Sequence, residues 1–400
     1  MDIKYGLISA DSHVVVDRDA FTRRMSKARW GELAPQVVEV EGRNGLVDRW
    51  RIHGDSIRLN NPLVNCPAAM DQSAAKPARR GEGEGSAFGG QVKYPQHWDE
   101  VPLKAYAPAE RAKALDDDGV DAEVLFPNDP AHNFIQWLDP EYELACVQAH
   151  NDALSEWTRV ADRFIPLVMI PYLSDIDVVV SEVARAAQNG HRGINMFPRP
   201  GDSGGGVKDF TDPYWDPLWA TCQDLGLPVH VHGPAGLGGD GWGAPGWEGI
   251  TPPVLHTYWG IPAAVAPAAV IPHVIFSGIA ERFPRLNWVL AECGIGAINY
   301  AADGCQHAWE TLHLWTDGLL TPPREIIRRQ MHANFYYEVI GIQQRDSIGV
   351  DNIMWESDYP HVVSSYPHSW ETVEQTLQGV PEADRKKLLY QNAMRVYHLA

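Results

Sequence analysis

GLISADSHVVV (residues 6–16) opens with a short apolar run and passes through an acidic and an imidazole side chain, Asp11 and His13, before three valines. Tyr5–Ala10 reads as a strand buried on both faces, and Asp11 and His13, two apart on extended backbone, point the same way. Similar runs recur at Ala122–Phe126, Phe164–Ile170, Gly193–Phe197, Pro228–His232, Asn287–Ala291, Phe335–Val339 and Ile353–Ser357. Each is short, apolar and rich in Val, Ile, Leu or aromatics. Helical patterns lie between several of them, at Ala109–Asp118, Pro140–Ala161, Asp175–Asn189 and Pro213–Leu225, and a last helix or helix pair is expected over Pro381–His398. Asn189-Gly190 and Gly226 supply stop signals for two of these.

Strands alternating with helices predict an α/β fold with a parallel sheet, and eight such units close most simply into a (β/α)8 TIM barrel. A doubly wound sheet is the alternative, but no G-x-G-x-x-G follows the first strand. A barrel core needs about 250 residues, so the 400-residue chain carries long inserted loops. Two Gly/Pro/Trp-rich stretches, about 31–105 and 233–272, account for the excess within a single domain spanning 1–400. Trp242, Trp247, Tyr258 and Trp259 interleave the second stretch, which favours packed loops over free linkers. The Arg79–Gly90 tract reads as a mobile surface loop.

The formal charge of −19 gives no attraction for a phosphate backbone or an anionic membrane surface. No apolar run is long enough to span a bilayer, and the N-terminus lacks a signal core. Five cysteines without a C-x-x-C pair argue for a reducing compartment. The expected location is the cytoplasm, and the expected partner a small-molecule substrate, with neither nucleic acid nor membrane.

In a barrel, reactive groups belong at the C-terminal ends of strands. Asp11 and His13 at the first end form a divalent-metal half-site. The fifth run, PVHVHGPAG (228–236), offers His230 and His232 on one face. We take His232, last before the glycines, as the ligand and His230 as a deeper packed residue, with the reverse assignment still open. The eighth, IMWESDYPH (353–361), brings Asp358 and His361; the sixth, WVLAECG (288–294), brings Glu292. Asp358 could ligate a metal and also take a proton. Arg199 could hold a substrate carboxylate through its planar fork. His256, His273 and Trp259 could reach the pocket from the long fifth loop, and His132 is a weaker candidate. Cys293 adjoins Glu292 but points the other way, and should be inert.

The segments ADSHVVV (10–16), ALDDDGVDAEVLFP (114–127), LPVHVHGP (227–234), SGIAERFPRLNWVLAECGIGAI (277–298) and WESDYPH (355–361) resemble the amidohydrolase-related family that includes aminocarboxymuconate-semialdehyde decarboxylase and the resorcylate-type decarboxylases. They span nearly the whole chain in the family's order. The resemblance implies a (β/α)8 barrel holding one divalent metal on Asp11, His13, His232 and Asp358, with zinc the first choice and manganese or iron the alternatives. One departure stands out. These decarboxylases carry a catalytic histidine at the end of the sixth strand, where this chain has Glu292. Glutamate exchanges a proton near neutrality only when burial raises its pKa.

The expected function is therefore non-oxidative decarboxylation of a small aromatic or conjugated carboxylic acid, with Asp358 and Glu292 as the catalytic acids and Arg199, Trp259, His256 and His361 lining the substrate. A hydrolase acting on an amide, lactone or activated carbon–carbon bond through water activated at the metal is the alternative. A non-catalytic binding subunit is the third reading. The aromatic loops need burial somewhere, which predicts a homo-oligomer, dimeric or higher.

Overall fold

The first strand is longer than its apolar letters suggest, running over Ile8–Val14 (β1) with every residue buried. The structure is a computed structural model and describes residues 1–42, 45–54, 56–57, 63–71, 93–128, 130–131, 134–135, 138–232 and 252–399. The Arg79–Gly90 tract, His132, Trp242 and Trp247 lie outside these residues. An antiparallel unit follows β1, made of β2 (Gln36–Gly42), β3 (Gly45–Ile52) and β4 (Ser56–Ile57). The remaining strands are β5 (Ala122–Pro127), β6 (Phe164–Pro166), β7 (Val168–Met169), β8 (Ile194–Met196), β9 (Val229–His232), β10 (Trp288–Ala291), β11 (Met331–Phe335) and β12 (Ile353–Trp355).

All pairings outside the antiparallel unit are parallel, as the alternating pattern predicts. They give the orders β1-β5-β6 and β12-β11-β10-β9-β8-β7. Leu167 alone separates β6 from β7. Its N–H donates to Leu125 O at 3.2 Å, and the next N–H, of Val168, donates to Gly193 O at 2.8 Å, so the chain steps from one sheet into the other. At the opposite side the continuation of β12 bonds to β1: the Asp358 N–H donates to Asp11 O at 3.1 Å, and the His13 N–H to Tyr359 O at 2.6 Å.

The side chains that share one interior cluster show which strand faces point inward. Ile8, Ala10, Val124, Phe126, Ile165, Leu167, Val289, Ala291 and Met354 pack together, with Tyr397 and Leu399 of the C-terminal segment against them. Period-two alternation carried on from Ile8 and Ala10 would send Asp11 and His13 to the other face. A bulge prevents this. Ser9 pairs with Glu123 and Ser12 with Leu125, so β1 holds one more residue than β5 in that interval. The extra residue switches the inward set from Ile8 and Ala10 to Asp11 and His13, and His13 then pairs with inward Phe126. Re-aiming a side chain beside a site is a recurrent use of such bulges.

Helices cover the outside. Pro108–Asp118 ends at Gly119, with φ 69°, and Asp216–Leu225 at Gly226, with φ 67°. Both take the left-handed cap that glycine adopts without a Cβ clash. Pro140–Val160 starts on Asp139, whose carboxylate accepts the Tyr142 N–H at 3.1 Å. Among the described residues no helix is long and apolar enough to cross a membrane.

Three sequence expectations need correction. The seventh strand is Met331–Phe335 rather than Phe335–Val339, because buried His332 and Asn334 give it a polar look, while Val339–Gln343 turns helical. Residues 31–105 are not loop throughout, since β2 and β3 form a seven-pair ladder. Nor is the second stretch loop to 272: helix runs over Pro252–Val265 and again over Val270–Phe276, despite the prolines. The C-terminal helix is continuous but changes winding, with a wider π turn over Lys387–Gln391.

Candidate metal centre

The bulged end of β1, the end of β9 and the segment after β12 bring four side chains to one point. His13 Nε2 lies 3.6 Å from Asp11 Oδ1 and 3.3 Å from Asp358 Oδ1. His232 Nε2 lies 3.2 Å from Asp11 Oδ2 and 3.1 Å from His13 Nε2. Asp11 and Asp358 are fully buried, and the two histidines nearly so. His361 adds its Nδ1 at 2.9 Å from Asp358 Oδ1 and stacks on the His13 ring at 3.8 Å. Glu292 reaches within 3.9 Å of His232 Nε2 from the end of β10. Each residue of the set His13, Glu292, Asp358 and His361 offers a ligand atom within 4.8 Å of the others, as does each of Asp11, His13 and His232.

Two positions hold unusual backbone. Glu292 has φ 46° and Asp358 φ 54°, left-handed values uncommon for residues with a Cβ. Such strain persists only where the surroundings enforce it, and it turns both carboxyls away from their strands' regular direction.

The electrostatics suit a cation. Burial, then the Asp358 carboxylate, pushes the Asp11 carboxyl well above its ordinary range. Burial, then His361, holds His13 well below the usual imidazole value; burial also lowers His232. Both imidazoles are thus neutral, with lone pairs to offer. For Asp358, burial acts upward but is outweighed by His361 and His13, which keep the carboxylate well below its usual range. Neither oxygen of fully buried Asp11 accepts a hydrogen bond among the described residues, while Asp358 meets the His361 and His13 rings. Buried carboxylates are normally paired, hydrogen-bonded or bound to a metal. Two imidazoles and two carboxylates are also the donor mixture that zinc, manganese and iron accept. The residues fit the group.

The other sequence candidates divide. His361 and Glu292 join the cluster. His230 sits deeper, between Ile194 O at 3.0 Å and the Tyr397 hydroxyl at 2.9 Å, a packed position as anticipated. Cys293 is buried, and burial raises its thiol. Arg199 is not brought in: its side chain is 60% exposed and pairs with Asp202 at 3.0 Å, because it starts a surface turn. His273 is also turned away, bonding Ala269 O on its own helix. The side chains of His256 and Trp259 lie outside the described atoms.

Sequence reasoning missed Glu356 and Asn128. Glu356 is fully buried and accepts the Glu292 N–H at 3.2 Å, and burial, then Asp11, pushes its carboxyl well above the ordinary range. Its place beside Asp358, just past the last strand, was the available signal. Asn128 follows β5 and places its side-chain amide 3.4 Å from His361 Nε2.

The amidohydrolase family profile matches residues 93–399. The chain belongs to the amidohydrolase family. Among solved structures, an amidohydrolase from Mycobacterium avium subsp. paratuberculosis K-10 is 21% identical, with a TM-score of 0.75 over 99% of this chain and 98% of that one. A dihydroxybenzoic acid decarboxylase from Polaromonas sp. JS666, described with bound manganese and 2-nitroresorcinol, is 19% identical, with a TM-score of 0.55 over 76% and 89%. A curated relative, 2-amino-3-carboxymuconate-6-semialdehyde decarboxylase from Dictyostelium discoideum, is 26% identical over 217 residues, 52% of this chain and 54% of its own. The chain thus spans about half the length of that relative. The solved structures speak to the fold of this amidohydrolase-family chain, whose parallel sheets match theirs in kind.

Proposed function

We propose that this chain is a metal-dependent enzyme that decarboxylates a small aromatic or conjugated carboxylic acid without oxidation. The observation that carries the reading is the convergence of Asp11, His13, His232 and Asp358, with the buried Asp11 oxygens left without a hydrogen bond among the described residues. The decarboxylases among the relatives support the reaction class. The residue-level assignment makes these four the ligands of one divalent cation. Zinc is the first choice from donor type, with manganese, which the Polaromonas protein binds, or iron as the alternatives.

When bound, the cation supplies Lewis-acid stabilisation of a carboxylate and a neighbouring oxygen on the substrate. The side chains handle the proton. Before any cation is bound, burial, then Asp358, pushes the Glu292 carboxyl up to about 8, and its place at the end of β10 makes it the acid in this reading. Glutamate at this position can therefore do what a histidine does in the resembled decarboxylases. Cleavage of the carbon–carboxylate bond leaves its electron pair on carbon and releases CO2; Glu292 donates its proton to that carbon and is reprotonated from solvent. His361 keeps Asp358 ionised and aimed.

A second reading, hydrolysis at the same centre, draws on Asp358, an ionised carboxylate that could take a proton from attacking water. The two separate in H2 18O with metal-reconstituted protein and a panel of hydroxybenzoic acids and carboxymuconate semialdehydes. CO2 release with no 18O in the organic product supports decarboxylation. Label in the product supports hydrolysis, and no turnover with Mn2+ or Zn2+ supports a binding role.

The coarser architecture extends the same way. We read the two parallel sheets, with the β6/β7 step and the β1–β12 bonds, as one closed (β/α)8 barrel within a single domain. Exposed Tyr300, Leu312 and Ile340 are consistent with a homo-oligomer, and five buried free thiols with a cytoplasmic setting.

A further inference from the structure

Arg111 is fully buried on the helix Pro108–Asp118, outside the cluster of ligand-type side chains. Its Nε and Nη2 donate to both oxygens of Glu123 on β5, each at 2.7 Å. The same Nη2 donates to two backbone carbonyls, His13 O and Tyr359 O, each at 3.2 Å. The guanidinium lies over the Tyr359 ring, 4.1 Å from its centroid. One carbonyl belongs to a candidate ligand and the other to the residue after Asp358. They stand where the His13 N–H meets Tyr359 O, the seam between the bulged end of β1 and the segment after β12.

A charge this deep is costly, and a fold needing only to fill the space would do as well with apolar side chains. The guanidinium's rigid fork does something they cannot: it holds Glu123 with one edge and grips both carbonyls at once. Lysine, a point charge on a flexible stem, can meet Glu123 but cannot fix all four acceptors.

We propose that Arg111 is a positioning residue for the metal centre, locking the His13 and Asp358 strand ends at the separation the cation needs. The inference rests on the metal reading above. The test is Mn2+ titration of metal-stripped full-length protein by calorimetry, with thermal melting of the metal-free form and the EPR spectrum of bound Mn2+. The variants are Arg111→Lys, which keeps a charge for Glu123, and the double Arg111→Met/Glu123→Leu, which removes the ion pair altogether. Both are expected to melt cooperatively near the wild-type temperature, yet to bind Mn2+ about 10- to 100-fold more weakly, the usual effect of losing a group that orients a ligand. Their EPR spectra should also change. A folded variant that binds Mn2+ as tightly as wild type overturns the positioning role and leaves the metal reading intact. Failure of both variants to fold makes Arg111 a folding residue and overturns it too. Wild-type protein that takes up no Mn2+ overturns both readings.

Discussion

His13 and His232 meet nitrogen to nitrogen, their Nε2 atoms 3.1 Å apart and the rings nearly perpendicular. Burial keeps both rings neutral, so at most one of the facing nitrogens needs to carry a proton. Two basic nitrogens aimed at one another beside two buried carboxylates place four donors around one small volume.

Removing one of these donors should therefore loosen the cation before it harms the fold. His232→Ala is expected to weaken metal binding by more than about 100-fold, beyond what loss of an orienting partner costs. Metal content after dialysis against a chelator, beside the melting curve, checks this; wild-type metal retention by the variant would refute it. Chelator treatment of the wild type should abolish turnover, and Mn2+ or Zn2+ should restore it.

Asp358→Asn keeps size and removes charge. Turnover is expected to fall by more than about 100-fold, because losing a ligand's charge costs more than losing a partner that orients one. Steady-state rates of metal-reconstituted variant and wild type provide the measurement, and an unaltered kcat would remove Asp358 from the chemistry.

Glu292→Gln should retain metal but lose about 100-fold in rate. If the carboxyl raised by burial is the acid, the wild-type rate profile should carry a limb from its titration, and that limb should vanish in the variant. An identical pH profile in both proteins would exclude Glu292 as the acid.

Glu143 tests the electrostatics of the fold away from the site. It is buried, accepts the Tyr172 and Leu173 N–H groups at 3.1 and 2.7 Å, and burial pushes it from 4.5 to about 7. The folded chain thus holds this proton more tightly than the unfolded one. The associated stability is fully present below pH 4.5 and is lost as pH rises through about 7. Glu143→Gln, neutral throughout, should gain on wild type across that window, by on the order of 3 kcal/mol at most. Melting curves of both proteins from pH 4 to about 8 check the sign, and a constant difference would refute it.

Gly193 leaves no room for a side chain. An added Cβ would lie 2.5 Å from His230 Cε1 and 2.9 Å from Leu167 Cδ2. Gly193→Ala is expected to cost about 1–3 kcal/mol through overpacking. Denaturant melts would show this, and unchanged stability would mean that His230 can move aside.

Most strand positions could be read from short apolar runs, because strands covered on both faces need little else. The failures have a common cause. Met331–Phe335 carries His332 and Asn334 inside, and β1 carries Asp11 and His13, so polarity hid strand residues where the interior turns polar. The antiparallel unit escaped notice although Val-Glu-Val-Glu (38–41) alternates, because the Gly- and Pro-rich surroundings dominated the reading. Strand-end placement drew attention to Asp11, His13, His232, Glu292 and Asp358, and the structure brings these side chains together. The bulge that turns the first two inward left no mark in the letters. Arg199 was a plausible guess from residue type, and only the position of Asp202 decides against it.

Ser9 and Ser357, whose hydroxyls meet 3.0 Å apart beneath the cluster, are separated by 348 positions in the chain. On the ribosome, His13 and Asp11 therefore emerge long before Asp358 exists to complete their surroundings. If these side chains hold a cation as proposed, a nascent fragment lacks Asp358 until synthesis has passed the final parallel strand, and the full donor set is assembled only then.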